Sequence, residues 1–179
     1  MDTERRRVTV LFADIRSFTT IAERMSAEDV VLMLNQYFSV MVDIVFKNNG
    51  LLDKFVGDQL IAVFGVGGCV RHAAENAIRT ALEMQKATEE IMKKRLRNNQ
   101  ELFEVGIGIN TGNAIIGNIG SSNRMDYTVI GDCVNVAARF EEMAIGGEII
   151  IGEQTCLENT GNFAIESRGE VYVKTKWNP

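Results

Sequence analysis

Histidine is almost missing from this chain. A single one, His72, falls on a predicted helix among 179 residues, which removes Ser-His-Asp machinery and multi-histidine metal sites from consideration. Cysteine is sparse as well. Cys69, Cys133 and Cys156 are scattered, odd in number and outside any metal-ligand spacing, which fits reduced thiols in a cytoplasmic setting. No apolar run reaches membrane-spanning length, and the start, MDTERRRVTV, lacks the apolar core of a signal peptide. That speaks for this chain alone, since a parent protein can be anchored elsewhere. Basic residues are not in excess: 19 Lys and Arg stand against 24 Asp and Glu, a net charge of −5, so neither a nucleic acid nor a membrane is expected as a partner. With imidazole and thiolate ligands excluded, any metal must be held by oxygen, which points to Mg²⁺ or Mn²⁺.

The chain has 46% apolar and 24% charged residues, the balance of one soluble domain long enough to bury its own core. It shows no repeat, low-complexity segment or linker. Val8–Ile15 reads as a buried strand ending on Asp14, followed by a short helix over Phe18–Met25. Ser26-Ala27-Glu28-Asp29 resembles a capping box with Asp at the third helical position. Helical periodicity then runs through Val30, Leu34, Tyr37, Met41 and Val45 and stops at Asn48-Asn49-Gly50. Leu51–Gly65 follows, with two apolar runs, Leu51–Val56 and Gln59–Phe64, around Gly57-Asp58, the pattern of a tight hairpin with an acidic tip.

Val70–Leu96 is expected to be helical, its last part, KKRLRNNQ, solvated and frayed. Phe103–Asn110 alternates like a strand. Ala114–Asn118 and Tyr127–Ile130 read as a second antiparallel pair around a polar loop, Gly120–Met125. Asp132 is placed to cap a helix to about Met143, Glu148–Ile151 is a strand, Glu153–Glu158 a helical turn and Phe163–Val173 a last hairpin-like region. This order predicts an α+β fold with antiparallel hairpins and helices packed on one face. Its heart is a palm-like, ferredoxin-like βαββαβ core with extra C-terminal α/β elements.

Asp14 ends the first strand and Asp58 tips the hairpin, and in a βαββ core these two elements are commonly neighbours. Two carboxylates without histidine describe a hard-cation site, and two cations about 3.5–4 Å apart can stabilise both oxygens of a phosphoryl displacement. The turn Arg16–Thr19 opens a helix whose free N–H groups, those of Phe18 and Thr19, suit phosphate oxygens. Lys54 lies inside the first hairpin strand, where a charge needs a polar partner. Plainer readings remain at this point: Asp14 as a helix cap, Asp58 as a turn residue, Lys54 as an edge lysine.

Four stretches together change the balance. VLFADIRSFT (Val10–Thr19), KFVGD (Lys54–Asp58), VGIGINTGNAIIG (Val105–Gly117) and YTVIGDCVNVAAR (Tyr127–Arg139) resemble, in order, the catalytic domain of class III nucleotidyl cyclases, from about Arg7 to Lys174. The resemblance implies an adenylate cyclase that converts ATP to 3′,5′-cyclic AMP and pyrophosphate with two Mg²⁺ or Mn²⁺ ions. It implies Asp14, Asp58 and the carbonyl of Ile15 as metal ligands, Lys54 and Thr128 as readers of the adenine, Asn135 as the ribose-orienting residue and Arg139 as the arginine at the transition-state phosphate. Lys174 matches the lysine on the terminal phosphates, with Arg124 a weaker candidate. Cys133 lies inside the match and reads as packing. Thr128 resembles the bacterial class IIIb subgroup, related to bicarbonate-responsive enzymes. The family works as a head-to-tail homodimer with sites at the interface, and this chain carries both residue sets.

Two departures stand out. Ser17 occupies a position where the family often has Gly, and the chain stops at Trp177-Asn178-Pro179, where relatives usually continue into another strand. Residues 1–179 therefore read as one catalytic domain excised from a longer, regulated protein. A guanylyl cyclase is the nearest rival, with Lys54 against it because Glu usually reads guanine. A non-catalytic nucleotide-binding dimerisation module is the rival of another class. A diguanylate cyclase lacks support because its Gly-Gly-acidic-acidic-Phe motif is absent.

Overall fold

The structure, a computed structural model, describes residues 3–67, 72–160 and 163–169. The elements follow in the order β1 (Thr3–Ile15), α1 (Phe18–Ala22), α2 (Ala27–Lys47), β2 (Leu51–Val56), β3 (Gln59–Phe64), α3 (Ala73–Arg97), β4 (Val105–Ser121), β5 (Arg124–Ile130), α4 (Asp132–Met143), β6 (Ile149–Ile151) and α5 (Glu153–Glu158). The strands lie in the order β2-β3-β1-β4-β5, all antiparallel, with β6 running parallel to the first half of β4. β2-β3-β1-β4 is the ferredoxin-like arrangement expected from the sequence.

Alternation along the strands separates two cores. Leu11, Ala13, Ile15, Leu60, Ala62, Phe64, Val105, Ile107 and Ile109 face α2 and α3, which contribute Met33, Tyr37, Met41, Val45, Ala77, Ala81 and Met84. Val8, Val10, Phe12, Ile61, Val63, Ala114 and Ile116 face the other way, against Cys133 and Ala137 of α4. Helices thus cover both faces, not one. α4 comes closest to β4 at two glycines, Gly108 and Gly112. A Cβ on Gly108 would lie 2.1 Å from the Glu141 nitrogen and 2.4 Å from the Ala137 carbonyl oxygen, and one on Gly112 would lie 2.6 Å from Cys133 Cβ. At these two positions the helix rests on strand backbone, with side chains packing on either side.

β4 is one strand of 17 residues rather than two. Thr111-Gly112-Asn113 looks like a polar break in sequence, yet Thr111 is buried and its hydroxyl bonds those of Thr9 and Thr155, each at 2.9 Å. The end of α3 also differs from expectation. Arg95 is buried, its Nε donating to the Glu101 carbonyl at 2.6 Å and its guanidinium lying 5.7 Å from the Phe103 ring centre, so the tail is helical to Arg97 and anchored at Arg95 rather than frayed, while its other residues are solvated as expected. At α2 the expected cap is present: the Asp29 N–H donates to Ser26 Oγ at 3.1 Å. Gly131, not Asp132, is the N-cap of α4, with Asp132 in its first turn, where a carboxylate suits the helix dipole. Residues 163–169 form no strand, and the rest of the expected C-terminal hairpin lies outside the described residues.

By length and mean hydropathy of 1.5, α2 could cross a membrane, although polar residues interrupt it. Met33, Tyr37, Met41 and Val45 on one side are buried in the first core, which is the ordinary situation of a core helix.

Candidate active site

Antiparallel pairing of β1 with β3 sets Ala13 opposite Leu60. This register brings Asp14, at the end of β1, beside Asp58, in the turn between β2 and β3. Gly57 takes the left-handed φ of 63° that this turn requires. The two carboxyl groups lie close enough to interact. Burial first, then the bond to Asp58 and its charge, push the Asp14 carboxyl up to about 6, against the pull of the Arg16 guanidinium. Behind them Tyr37 is fully buried, its ring against Phe38 and Phe103 at 5.5 and 5.6 Å. Burial and both carboxylates push the Tyr37 phenol well above its ordinary range.

Two crowded acids with an apolar floor are a poor place for two negative charges and a good one for a divalent cation. Among the described residues no group of three or more His, Cys, Asp or Glu side chains gathers to hold a metal. Asp14, Asp58 and the Ile15 carbonyl are oxygen donors only, too few to saturate Mg²⁺, which commonly completes its shell with water and substrate phosphate. The donor set fits such an ion.

Ser17 precedes α1 in the left-handed region, φ 57° and ψ 29°, where a side chain is strained. The first N–H groups of α1, those of Phe18 and Thr19, have no acceptor within the helix. Arg16 ties this corner to α4. Its Nη2 donates to Asp14 Oδ2 at 3.1 Å and to Glu141 Oε1, and Nη1 donates to the Glu141 and Ala144 carbonyls, each at 3.3 Å. Gln59 Nε2 donates to the second Glu141 oxygen at 2.8 Å, and the Glu141 side chain is only 3% exposed. Sequence reasoning missed this clamp, because Arg16, Gln59 and Glu141 come from the turn after β1, from β3 and from α4.

A second group gathers at the sheet edge. Thr128, on β5, donates from Oγ1 to Asp53 Oδ2 at 3.2 Å, and Lys54 Nζ lies 3.5 Å from the same oxygen. Lys54 and Thr128 are therefore brought together, through an aspartate not singled out in sequence. A charged pair, Asp53-Lys54, inside an apolar strand was the available signal.

Asn135 and Arg139 stand one helical turn apart on α4, away from the inward-facing Cys133, Ala137 and Glu141. Arg139 Nη1 donates to Glu142 Oε2 at 2.5 Å. Arg124 is exposed, 3.8 Å from Asp126. Lys174 lies outside the described residues. Cys133 packs against the sheet, its Sγ 3.4 Å from the Asn113 carbonyl, and burial pushes its thiol up to about 11. Among the described residues, no hydrogen bond or ion pair links the Asp14–Asp58 pair to Lys54, Thr128, Asn135 or Arg139. A cleft of about 640 Å³ between α2 and the end of α3, lined by Asp29, Gln36, Arg95 and Glu101, contains none of them.

A family model described as the adenylate and guanylate cyclase catalytic domain matches residues 2–179. "Adenylate cyclase 1" of Rhizobium meliloti is 37% identical over 139 residues, 78% of this chain but 21% of that protein. The crystal structure of the adenylyl cyclase CyaB from P. aeruginosa is similar with a TM-score of 0.83 and 36% identity, over 88% of this chain and 82% of that one. The crystal structure of the guanylyl cyclase Cya2 gives 0.84 and 35%, over 95% and 89%. The chain thus spans about a fifth of the curated Rhizobium relative.

Proposed function

The chain belongs to the family of adenylate and guanylate cyclase catalytic domains, and from that premise we propose an adenylate cyclase that makes 3′,5′-cyclic AMP and pyrophosphate from ATP. The observation that carries the reading is the Asp14–Asp58 carboxylate pair brought together by the β1–β3 register beside the start of α1. Lys54 favours ATP, whereas the likeness to a guanylyl cyclase structure keeps GTP as the competing substrate.

In the reaction the ribose 3′-oxygen attacks the α-phosphorus, the bond to the bridging oxygen breaks and pyrophosphate leaves. Divalent cations held by Asp14, Asp58 and the Ile15 carbonyl would supply positive charge to the triphosphate and acidify the 3′-hydroxyl. This chain's own residues position and stabilise. Asn135 orients the ribose, and Arg139 offers its guanidinium to the charge developing on the phosphate. Phe18 and Thr19 give main-chain N–H groups to phosphate oxygens. Lys174, with Arg124 as a second candidate, serves the terminal phosphates.

Within one chain the carboxylate pair has no bonded link to the other groups. A head-to-tail homodimer supplies one: Asp14 and Asp58 of one protomer face Lys54, Thr128, Asn135 and Arg139 of its partner, giving two equivalent sites. Cyclic-nucleotide formation from ATP and from GTP with Mn²⁺, across a protein dilution series, tests both claims. Cyclic AMP with specific activity falling on dilution is the expected result. Cyclic GTP product alone would transfer the reading to a guanylyl cyclase, and activity independent of dilution down to nanomolar protein would argue against a weak shared-site dimer. Bicarbonate stimulation, implied by Thr128, is checked at fixed pH.

A further inference from the structure

Asp53 has no part in the proposed chemistry, yet its side chain is only 4% exposed. It sits where the β2–β3 register shifts. Leu52 pairs with Ala62 and Lys54 with the next residue back, Ile61, which leaves Asp53 as the extra residue of a bulge. A bulge re-aims a side chain, and this one aims at β5. β2 and β5 are the two ends of the strand order β2-β3-β1-β4-β5, so the sheet curls until its edges meet, and the Asp53–Thr128 hydrogen bond spans the meeting point.

The bond has a direction. A carboxylate has no hydrogen to give, so Thr128 donates. A threonine hydroxyl owns one hydrogen, and once that is committed to Asp53, Oγ1 offers a ligand only lone pairs. Lys54 beside it is a donor and never an acceptor. Asp53 thereby fixes an acceptor next to a donor. The edge of a 6-aminopurine carries the complement, an amino donor beside a ring-nitrogen acceptor. A 6-oxopurine carries the reverse, a carbonyl acceptor beside a ring N–H, and would set acceptor against acceptor and donor against donor.

We propose that Asp53 is a positioning residue that sets the hydrogen-bond polarity of the Thr128–Lys54 pair and so makes the site select 6-aminopurine over 6-oxopurine nucleotides. This rests on the reading of Lys54 and Thr128 as base-facing residues. A free threonine could rotate its hydroxyl to serve either base. The carboxylate removes that freedom, and leaving a buried group unpaired against the wrong base is the kind of penalty that discriminates strongly. Asp53 also draws the Lys54 ammonium to the same corner, so one carboxylate orders both readers.

The test compares kcat/KM for ATP and GTP in the wild-type chain, Asp53→Asn, Thr128→Val and the double variant. Displacement of a fluorescent nucleotide by 3′-deoxy-ATP and 3′-deoxy-GTP, which lack the attacking oxygen, reads binding without turnover. The isosteric Asp53→Asn restores an amide that can donate or accept, and should lower the ATP/GTP ratio at least about tenfold in both assays. A ratio does not depend on how much of a variant is folded, which separates a specificity effect from a stability effect. In the Thr128→Val background, adding Asp53→Asn should move the ratio less than it does in the wild-type chain, since the contact through Thr128 is gone and only the one to Lys54 remains. Should Asp53→Asn fail to fold, Thr128→Val reports on the same bond from its other end and must shift the ratio towards GTP.

If Asp53→Asn keeps the wild-type ratio while Thr128→Val shifts it, Asp53 is idle and the cyclase reading survives. If the wild-type chain prefers GTP, the polarity argument is wrong and a guanylyl cyclase remains. If it binds neither 3′-deoxy nucleotide, the base-facing reading falls and this inference with it.

Discussion

The two halves of the candidate site are built differently. The carboxylate half is part of the fold: Asp14 ends a strand paired on both sides, and Arg16, Glu141 and Gln59 bind it to α4 through groups that are largely buried. The outward half, Asn135 and Arg139, has little holding it. Among the described residues Arg139 is paired to a neighbouring surface glutamate on its own helix. In the homodimer proposed above, the partner's surface would give Asn135 and Arg139 the fixed geometry that the single chain does not.

The sharpest way to break that comparison uses each half as a separate knockout. Arg139→Ala should lower turnover by about 10²-fold, the scale of losing one transition-state donor, and Asp58→Asn should lower it at least as far. Mixed in equal amounts, the two inactive variants should recover roughly a quarter of wild-type activity. Half the dimers formed are mixed, and each mixed dimer keeps one intact site of two. No recovery in a product assay at high protein concentration would mean that both halves come from one chain.

Removing the clamp should act on stability before chemistry. Arg16→Ala leaves the buried Glu141 carboxylate without its cation, a loss of about 3 kcal/mol, read as a lower urea midpoint with an unchanged slope. An equal loss in Arg139→Ala would erase the contrast between the two halves, because that arginine is half-exposed.

A gentler probe is pH. The Asp14 carboxyl is raised from 3.8 to about 6, so the folded chain keeps this proton where the unfolded chain has lost it. The stability tied to Asp14 therefore falls as pH climbs between those two values and stays low above them. In metal-free thermal melts, Asp14→Asn should be more stable than wild type at about pH 7.5, with the gap closing as the pH approaches about 4. Mn²⁺ should raise the wild-type Tm and leave the variant unmoved. The smallest effect is at Ser17, whose left-handed φ of 57° costs a side chain about 1 kcal/mol. Ser17→Gly should raise stability by up to that amount, partly offset by the freer unfolded chain, and a calorimetric scan would show it.

What was legible in sequence and what was not follows from the range of the forces involved. The hairpin around Gly57-Asp58, the Ser26 cap and the periodicity of α2 are set by residues within a few positions of one another, and they lie where the pattern puts them. Asp14 and Asp58 meet because a short strand-pairing rule brings them together. Thr111 looked like the end of a strand because its partners, Thr9 and Thr155, are remote in sequence. Arg95 looked solvated because nothing local announces the Phe103 ring and the Glu101 carbonyl that receive it. The sequence predicts helices on one face alone for a related reason: glycine in a strand reads as weakness until a helix is found lying on it. Asp53 and Glu141 escaped notice because a buried carboxylate declares itself only through partners that folding supplies.

The glycine ledge of β4 also bears on how the site moves. Between α4 and the strand beneath it at Gly108 there is no layer of side chains to shift, shear or repack. Backbone touches backbone, and in an interior as dense as a crystal such a contact transmits displacement instead of absorbing it. β4 in turn is hydrogen-bonded along the whole of β1 down to Asp14. Backbone contact thus runs without a side-chain cushion from α4 through β4 to the strand that ends on Asp14.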